Sequence, residues 1–259
     1  MNEIEWIEPV AGYQFKPEEV MVTEEFQTEK LAACGLDSDS FNGYVDASFF
    51  IAIGIHAGIN NGISAEGNVN MLTSLIQHRP VRLGETLMAN GTILAVEDVP
   101  RGQSVETDVW FESADGERVI SAPRKSLRPN PAKVGNRGAG ERPAPVIEAT
   151  ADLTLFDSYT LTPEQVKRYS SEGNSIHYEM ASANKAGFRA PIIGGGMGVH
   201  YLIHALWQAT ASKSFDLSVY FRRPIFWDDE FVVAADPWQA IALLREGKVL
   251  TEARINALG

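Results

Sequence analysis

The chain repeats itself weakly at one spacing. Gly54-Ile55-His56 and Gly198-Val199-His200 each lie on an apolar segment, SFFIAIGIHAGI and GMGVHYLIHALW. His56 precedes Pro80 of Arg79-Pro80 by 24 residues, and His200 precedes Pro224 of Arg223-Pro224 by the same 24. An acid stands five positions beyond each proline, Glu85 in one case and Asp229 in the other. All three matches share an offset of 144 residues. Agreement at a single offset predicts two related units in tandem.

Strand patterns support that division. Val105, Thr107, Val109 and Phe111 alternate with polar residues, and Asp115-Gly116 then turns the chain into Arg118–Ala122. Alternation followed by a turn dipeptide reads as an antiparallel hairpin with one buried face. Later, Phe215, Leu217, Val219 and Phe221 alternate in the same way, and Arg245-Glu246-Gly247-Lys248 joins two strand candidates, Trp238–Leu244 and Val249–Ile255. Each half therefore carries one long apolar helix followed by antiparallel strands, and such a helix must bury its surface against a sheet. The predicted halves are 1–128 and 147–259. Residues 129–146 between them are rich in Pro, Gly and Arg without periodicity, as a linker is. Lys133, Arg137 and Arg142 give it an alternative use, contact with ligand phosphates.

Composition narrows the function. A hydrophobic content of 44% over 259 residues supports a packed core. No apolar run reaches the roughly 18 residues that span a membrane. The first residues, MNEIEWIEPV, lack a basic-then-apolar signal pattern, so the expected location is the cytoplasm. A net charge of −12 argues against nucleic acid and anionic membranes as partners. The single cysteine, Cys34, excludes an internal disulfide and a cysteine-based zinc site, and reads as a small buried hydrophobe.

The chemistry concentrates in residues 169–198. Thr162-Pro163-Glu164-Gln165 has the form of a helix start with a capping box. The helix leads into Ser170-Ser171-Glu172-Gly173-Asn174, which favour an exposed loop. Glu172 stands five residues before His177, with Asn174 between them. Taken singly, Glu172 looks like a solvated acid and His177 like a hydrogen-bonded loop residue. Together they form an acid–base pair that titrates near neutrality, with Asn174 available to orient it. Gly194-Gly195-Gly196 then opens an apolar helix, whose unpaired N–H groups favour negative charge. The glycines suit either close approach of a ligand or close helix–sheet packing. His200 and His204, four apart on this helix, could face one metal, but no third ligand stands at suitable spacing. Two packed histidines fit better, and no metal is expected.

These residues resemble the hydratase motif of MaoC-like (R)-specific enoyl-CoA hydratases. The family motif Ser-Gly-Asp-x-Asn-Pro-(Ile/Leu)-His, followed by Gly-Phe, Pro-Ile and Gly-Met, matches Ser170, Ser171, Glu172, Gly173, Asn174, Ser175, Ile176 and His177, then Gly187-Phe188, Pro191-Ile192 and Gly196-Met197. Glu172 replaces the family's Asp, Ser175 its Pro and Ser171 its Gly. The resemblance implies an α+β tandem (double) hot-dog fold, each half an antiparallel sheet wrapped around a long central helix. It implies reversible addition of water to a trans-2-enoyl thioester of coenzyme A or an acyl carrier protein, with coenzyme A entering only as part of the substrate. Glu172 and His177 would be the acid–base dyad, Asn174 would orient it, and the N–H groups of Gly195 and Gly196 would bind the thioester oxygen. Arg189, Arg222 and Arg223 are candidates for phosphate contacts, with surface solvation as the other reading. A homodimer is expected.

The first half lacks the motif. Its matching region, Cys34–Phe41, has acids but no His five residues beyond them, and five fewer residues separate Thr23 from the helix than separate Thr162 from its helix. The expectation is one degenerate half that widens an acyl tunnel. Two other functions remain open on the sequence, a hot-dog acyl-thioester hydrolase and a non-catalytic acyl-thioester binding protein.

Overall fold

The structure is a computed structural model that describes residues 5–133, 143–170, 174–210, 213–237 and 239–259. The first half supplies β1 (Glu18–Met21), α1 (Glu24–Ala33), α2 (Phe49–Asn60), β2 (Val69–Gln77), β3 (Thr86–Val99), β4 (Gly102–Glu112), β5 (Arg118–Ser121) and β6 (Arg124–Pro129). The second supplies β7 (Thr154–Thr160), α3 (Pro163–Ser170), α4 (Met180–Lys185), α5 (Gly195–Ala209), β8 (Phe215–Phe221), β9 (Glu230–Asp236), β10 (Ala240–Arg245) and β11 (Lys248–Leu258). Trp238, the predicted start of β10, lies outside the described residues.

The strands form one sheet in the order β1-β3-β4-β5-β2-β8-β11-β10-β9-β7, with β6 pairing to β2 and β4. That order is nearly a palindrome of equivalent strands. The halves join edge to edge, β2 antiparallel to β8 from Leu72↔Tyr220 to Gln77↔Phe215. Pairing these edges closes both against further strands at the centre. The predicted hairpins are present. Val105, Thr107, Val109 and Phe111 are all buried, and Gly116 turns with φ +81°. Glu246 and Gly247 both take positive φ, 51° and 70°, as the two-residue turn of a tight hairpin requires.

The two central helices lie on the sheet and touch across the halves. Every residue of α5 from Met197 to Trp207 is buried, and each fully buried large aliphatic side chain there contributes roughly 1.5–3 kcal/mol. Among the described residues no helix is long and apolar enough to cross a membrane.

The sequence repeat holds in the strands and shifts in the helices. Phe226 N–H donates to Asp229 Oδ2 (2.7 Å), as Arg82 N–H does to Glu85 Oε2 (3.1 Å), at an offset of 144. Ahead of the helices, however, Val45 N–H bonds Val81 O and Ile193 N–H bonds Ile225 O, so Val45 corresponds to Ile193 at an offset of 148. The extra four residues of the first half fall in its helix-to-strand connection. His56 is therefore not the structural counterpart of His200: His56 is exposed and His200 is fully buried.

Candidate active site

The second-half loop is built from its caps. Thr162 and Gln165 bond reciprocally: Gln165 N–H donates to Thr162 Oγ1 (3.3 Å), and Thr162 N–H donates to Gln165 Oε1 (3.0 Å). This fixes the start of α3, whose last turn presents Tyr169. Glu172 follows and lies outside the described residues. Asn174 Oδ1 accepts from Ile176 N–H (3.3 Å) and caps a 3-10 turn over Ser175–His177. Asn174 thus shapes the turn that carries His177.

His177 Nδ1 lies 2.8 Å from the carbonyl oxygen of Ile192. A carbonyl only accepts, so Nδ1 carries the proton and Nε2 is left as the basic atom. Nε2 faces the start of α5, where a Cβ on Gly194 would sit 3.7 Å from it. Burial pushes the His177 pKa down, opposed by the bond to Ile192. Burial thus favours the neutral imidazole, the form a general base uses.

α5 begins at Gly195 with Gly194 as its cap and no side chain capping it. The N–H groups of its first turn have no carbonyl one turn earlier to bond. The three glycines serve different neighbours. A Cβ on Gly195 would meet the Phe221 ring at 2.9 Å, which makes this glycine a packing requirement. A Cβ on Gly196 would have only the Tyr169 hydroxyl nearby, at 3.8 Å. A Cβ on Gly194 would be in ordinary contact with His177. Close packing thus accounts for Gly195 alone among the three.

The first half has an equivalent turn with different residues on it. Asp37 Oδ1 accepts from Asp39 N–H (3.0 Å) and caps a 3-10 turn over Ser38–Phe41. In that turn Ser40 stands where the second half has His177. The length difference lies after the turn, where the second half adds α4. From cap to pre-helix residue the count is 22 (Thr23 to Val45) against 31 (Thr162 to Ile193), more than the five residues the sequence repeat gave.

The candidate phosphate arginines have partners within the protein. Arg189 pairs with Asp228 (2.8 Å) and Asp229 (3.0 Å). Arg222 pairs with the buried Glu252 (2.6 Å) and donates to the Pro143 and Ala144 carbonyls. Arg223 donates to Val249 O (2.5 Å). Arg222 and Glu252 fasten the end of the linker, since Glu252 also accepts from Val146 and Ile147 N–H. Lys133 lies 3.9 Å from Asp98, while Arg137 and Arg142 lie outside the described residues.

An apolar cavity of about 260 Å³ is lined by Phe156, Ala205, Leu206, Ala209 and Ile241. It lies at the far end of α5, roughly 20 Å from the glycines at 1.5 Å per residue. It does not define the acyl tunnel expected between the halves.

One cluster escaped sequence reasoning. His200 Nδ1 lies 2.8 Å from Asp46 Oδ2 and 2.6 Å from Ser48 Oγ. Its Nε2 lies 2.7 Å from the Tyr169 hydroxyl. Ser48 Oγ donates to Asp46 Oδ1. Asp46, Ser48 and His200 are all fully buried. The expected packed histidine is present, but its partners sit 154, 152 and 31 residues away, where no spacing pattern connects them. His204 is buried on the same helix and bonds Gln208 (3.2 Å). No group of metal-ligating side chains exists among the described residues. Cys34 is buried, which pushes its thiol pKa well up, as a packed hydrophobe requires.

No family model and no curated protein matches the chain. Solved structures do. HtdX from Mycobacterium tuberculosis is similar at a TM-score of 0.73 and 18% identity, over 92% of this chain and 97% of that one. A MaoC-like dehydratase from Phytophthora capsici gives 0.70 at 17%, over 95% of each. An oleoyl thioesterase from Lactobacillus plantarum gives 0.60 at 12%, over 94% and 95%. A further Mycobacterium tuberculosis protein, described as having a double hotdog fold, gives 0.60 at 12%, over 96% and 97%. This chain is a double hot dog, with the fold of the MaoC-like dehydratases.

Proposed function

We propose that the protein is an acyl-thioester hydratase, adding water reversibly to a trans-2-enoyl thioester of coenzyme A or an acyl carrier protein to give the 3-hydroxyacyl thioester. The observation that carries this reading is the pairing of His177 with α5: a neutral imidazole, its basic Nε2 turned toward a glycine-headed helix start with unpaired N–H groups. The N–H of Gly196 holds the thioester oxygen as it gains negative charge. Gly195 belongs to the same turn. His177 Nε2 takes a proton from water while the water oxygen bonds to the β-carbon. The protonated imidazole then gives that proton up to the α-carbon as the enolate collapses, which restores the neutral histidine. Glu172 is the second member of the dyad, and Asn174 sets the turn. The first half, with Ser40 in the place of His177, carries no second site.

The likeness to an oleoyl thioesterase supports one alternative, in which the same water attacks the carbonyl and releases the thiol. Short and medium trans-2-enoyl-CoA separate the two. Loss of conjugated-thioester absorbance without free thiol supports hydration, and thiol release supports hydrolysis. Binding with neither reaction would point to a non-catalytic acyl-thioester protein.

A further inference from the structure

A carboxylate as deeply buried as Asp46 is costly unless its oxygens are bonded. Asp46 has its bonds: Ser48 Oγ to one oxygen and His200 Nδ1 to the other (2.8 Å). Its backbone N–H donates to Gln27 Oε1 (2.8 Å). A carboxylate only accepts, so His200 Nδ1 carries a proton and Nε2 receives the Tyr169 hydroxyl (2.7 Å). The result is a continuous Asp–His–Tyr chain that starts in the first half and ends at the candidate site. Tyr169 is also held at its other end, because Lys30 Nζ on α1 donates to its carbonyl (3.0 Å).

The end of the chain matters. The Tyr169 hydroxyl abuts the first turn of α5 at Gly196, and His177 abuts the same turn at Gly194. Both rings lie against the helix turn whose N–H groups are assigned to the thioester oxygen. Counted from the matched pair Val45 and Ile193, Asp46 occupies in the first half the place that Gly194 occupies in the second. The half that lacks the histidine has a carboxylate there, directed across to the other half.

We propose that Asp46, His200 and Tyr169 form a positioning relay for the hydratase chemistry assigned above, a reading on which this proposal rests. The first half is part of the site: through His200 it sets the Tyr169 hydroxyl against α5 and fixes the helix start relative to His177. Tyr169 is a positioning residue, and Asp46 acts only through it.

The test is a double-mutant cycle on the full chain, with hydration of a trans-2-enoyl-CoA as readout. Tyr169→Phe and Asp46→Asn should each lower kcat about tenfold with KM within about twofold, since small misplacements of reacting groups act on the chemical step. The double variant should be no slower than Tyr169→Phe alone. Multiplying losses, an equal change in KM, or an unchanged kcat in Tyr169→Phe overturns the relay. Where Asp46→Asn does not fold, nitrogen NMR of the His200 ring decides: Tyr169→Phe should move the Nε2 signal and leave an exchange-protected Nδ1–H, and an unmoved Nε2 signal overturns the proposal. Absence of hydration in the wild type would sink the hydratase reading. Hydration lost in His177→Ala but untouched in Tyr169→Phe would sink the relay alone.

Discussion

The two helix starts occupy equivalent places and are built oppositely. At the start of α5 the chain reads Gly194-Gly195-Gly196, and at the corresponding point ahead of α2 it reads Asp46-Ala47-Ser48. The glycines carry no side chain to cap the helix, and His177 and Tyr169 lie beside Gly194 and Gly196. In the first half Asp46 and Ser48 carry side chains that bond His200. A nearly palindromic sheet thus supports one open helix start and one closed one. Duplication of a frame does not imply duplication of a site, because the chemistry rests on a few side chains that the frame does not specify.

The comparison breaks most visibly at the histidines. His177→Ala should lower hydration kcat by about 10²–10⁴-fold, the usual contribution of a general base. His56→Ala, exposed on α2, should leave kcat within about twofold. Steady-state kinetics on both variants checks this, and comparable losses would mean that the first half also carries chemistry.

The ion pairs give the next contrast. Glu252 is buried against Arg222 and two backbone N–H groups, so Glu252→Ala should cost about 3–5 kcal/mol, as breaking a buried pair does. In the first half, Glu8 pairs with Arg128 on the surface, and Glu8→Ala should leave the denaturation midpoint unchanged. Urea unfolding measures both.

Within the open start, Gly195→Ala forces a methyl toward the Phe221 ring and should cost about 1–3 kcal/mol through overpacking. Gly196→Ala meets only ordinary contact and should be nearly neutral in stability. Equal melting shifts for the two would remove the distinction between packing and ligand-facing glycines.

The smallest effect is on pH dependence. Burial lowers the His177 pKa, and burial lowers that of His204 in the same sense. As pH falls, the unfolded chain protonates first, near the ordinary value of about 6.5. The stability linked to these groups is therefore full above that pH and is lost as pH falls from there toward the folded values. The acidic limb of kcat/KM should likewise lie below about 6.5, and a limb above it would contradict the burial argument.

Much of the fold was legible because it rests on local pattern. The alternation of Val105 to Phe111, the Glu246-Gly247 turn and the Thr162–Gln165 capping box each specify their structure within a few residues. Of the loop from Ser170 to His177, the structure describes the Asn174-capped turn that carries His177. The register of the helices was not. Gly54-Ile55-His56 matches Gly198-Val199-His200 as text, yet the backbone bonds of Val45 and Ile193 shift the helices by four residues. Asp46, Ser48 and Tyr169 were invisible as a group, because a buried hydrogen-bond chain is assembled by tertiary contact and leaves no spacing in the sequence. The partners of Arg189, Arg222 and Arg223 were not legible, because a sequence does not show which acids and carbonyls fold beside them.

The central claim is that water reaches the β-carbon of an enoyl thioester in the second half. Incubation with trans-2-enoyl-CoA in ¹⁸O-labelled water, followed by mass spectrometry, tests it directly. The account predicts label in the 3-hydroxyl of an acyl chain still joined to coenzyme A, and its loss in His177→Ala. Label in a released carboxylate, or hydration that survives His177→Ala, would contradict it.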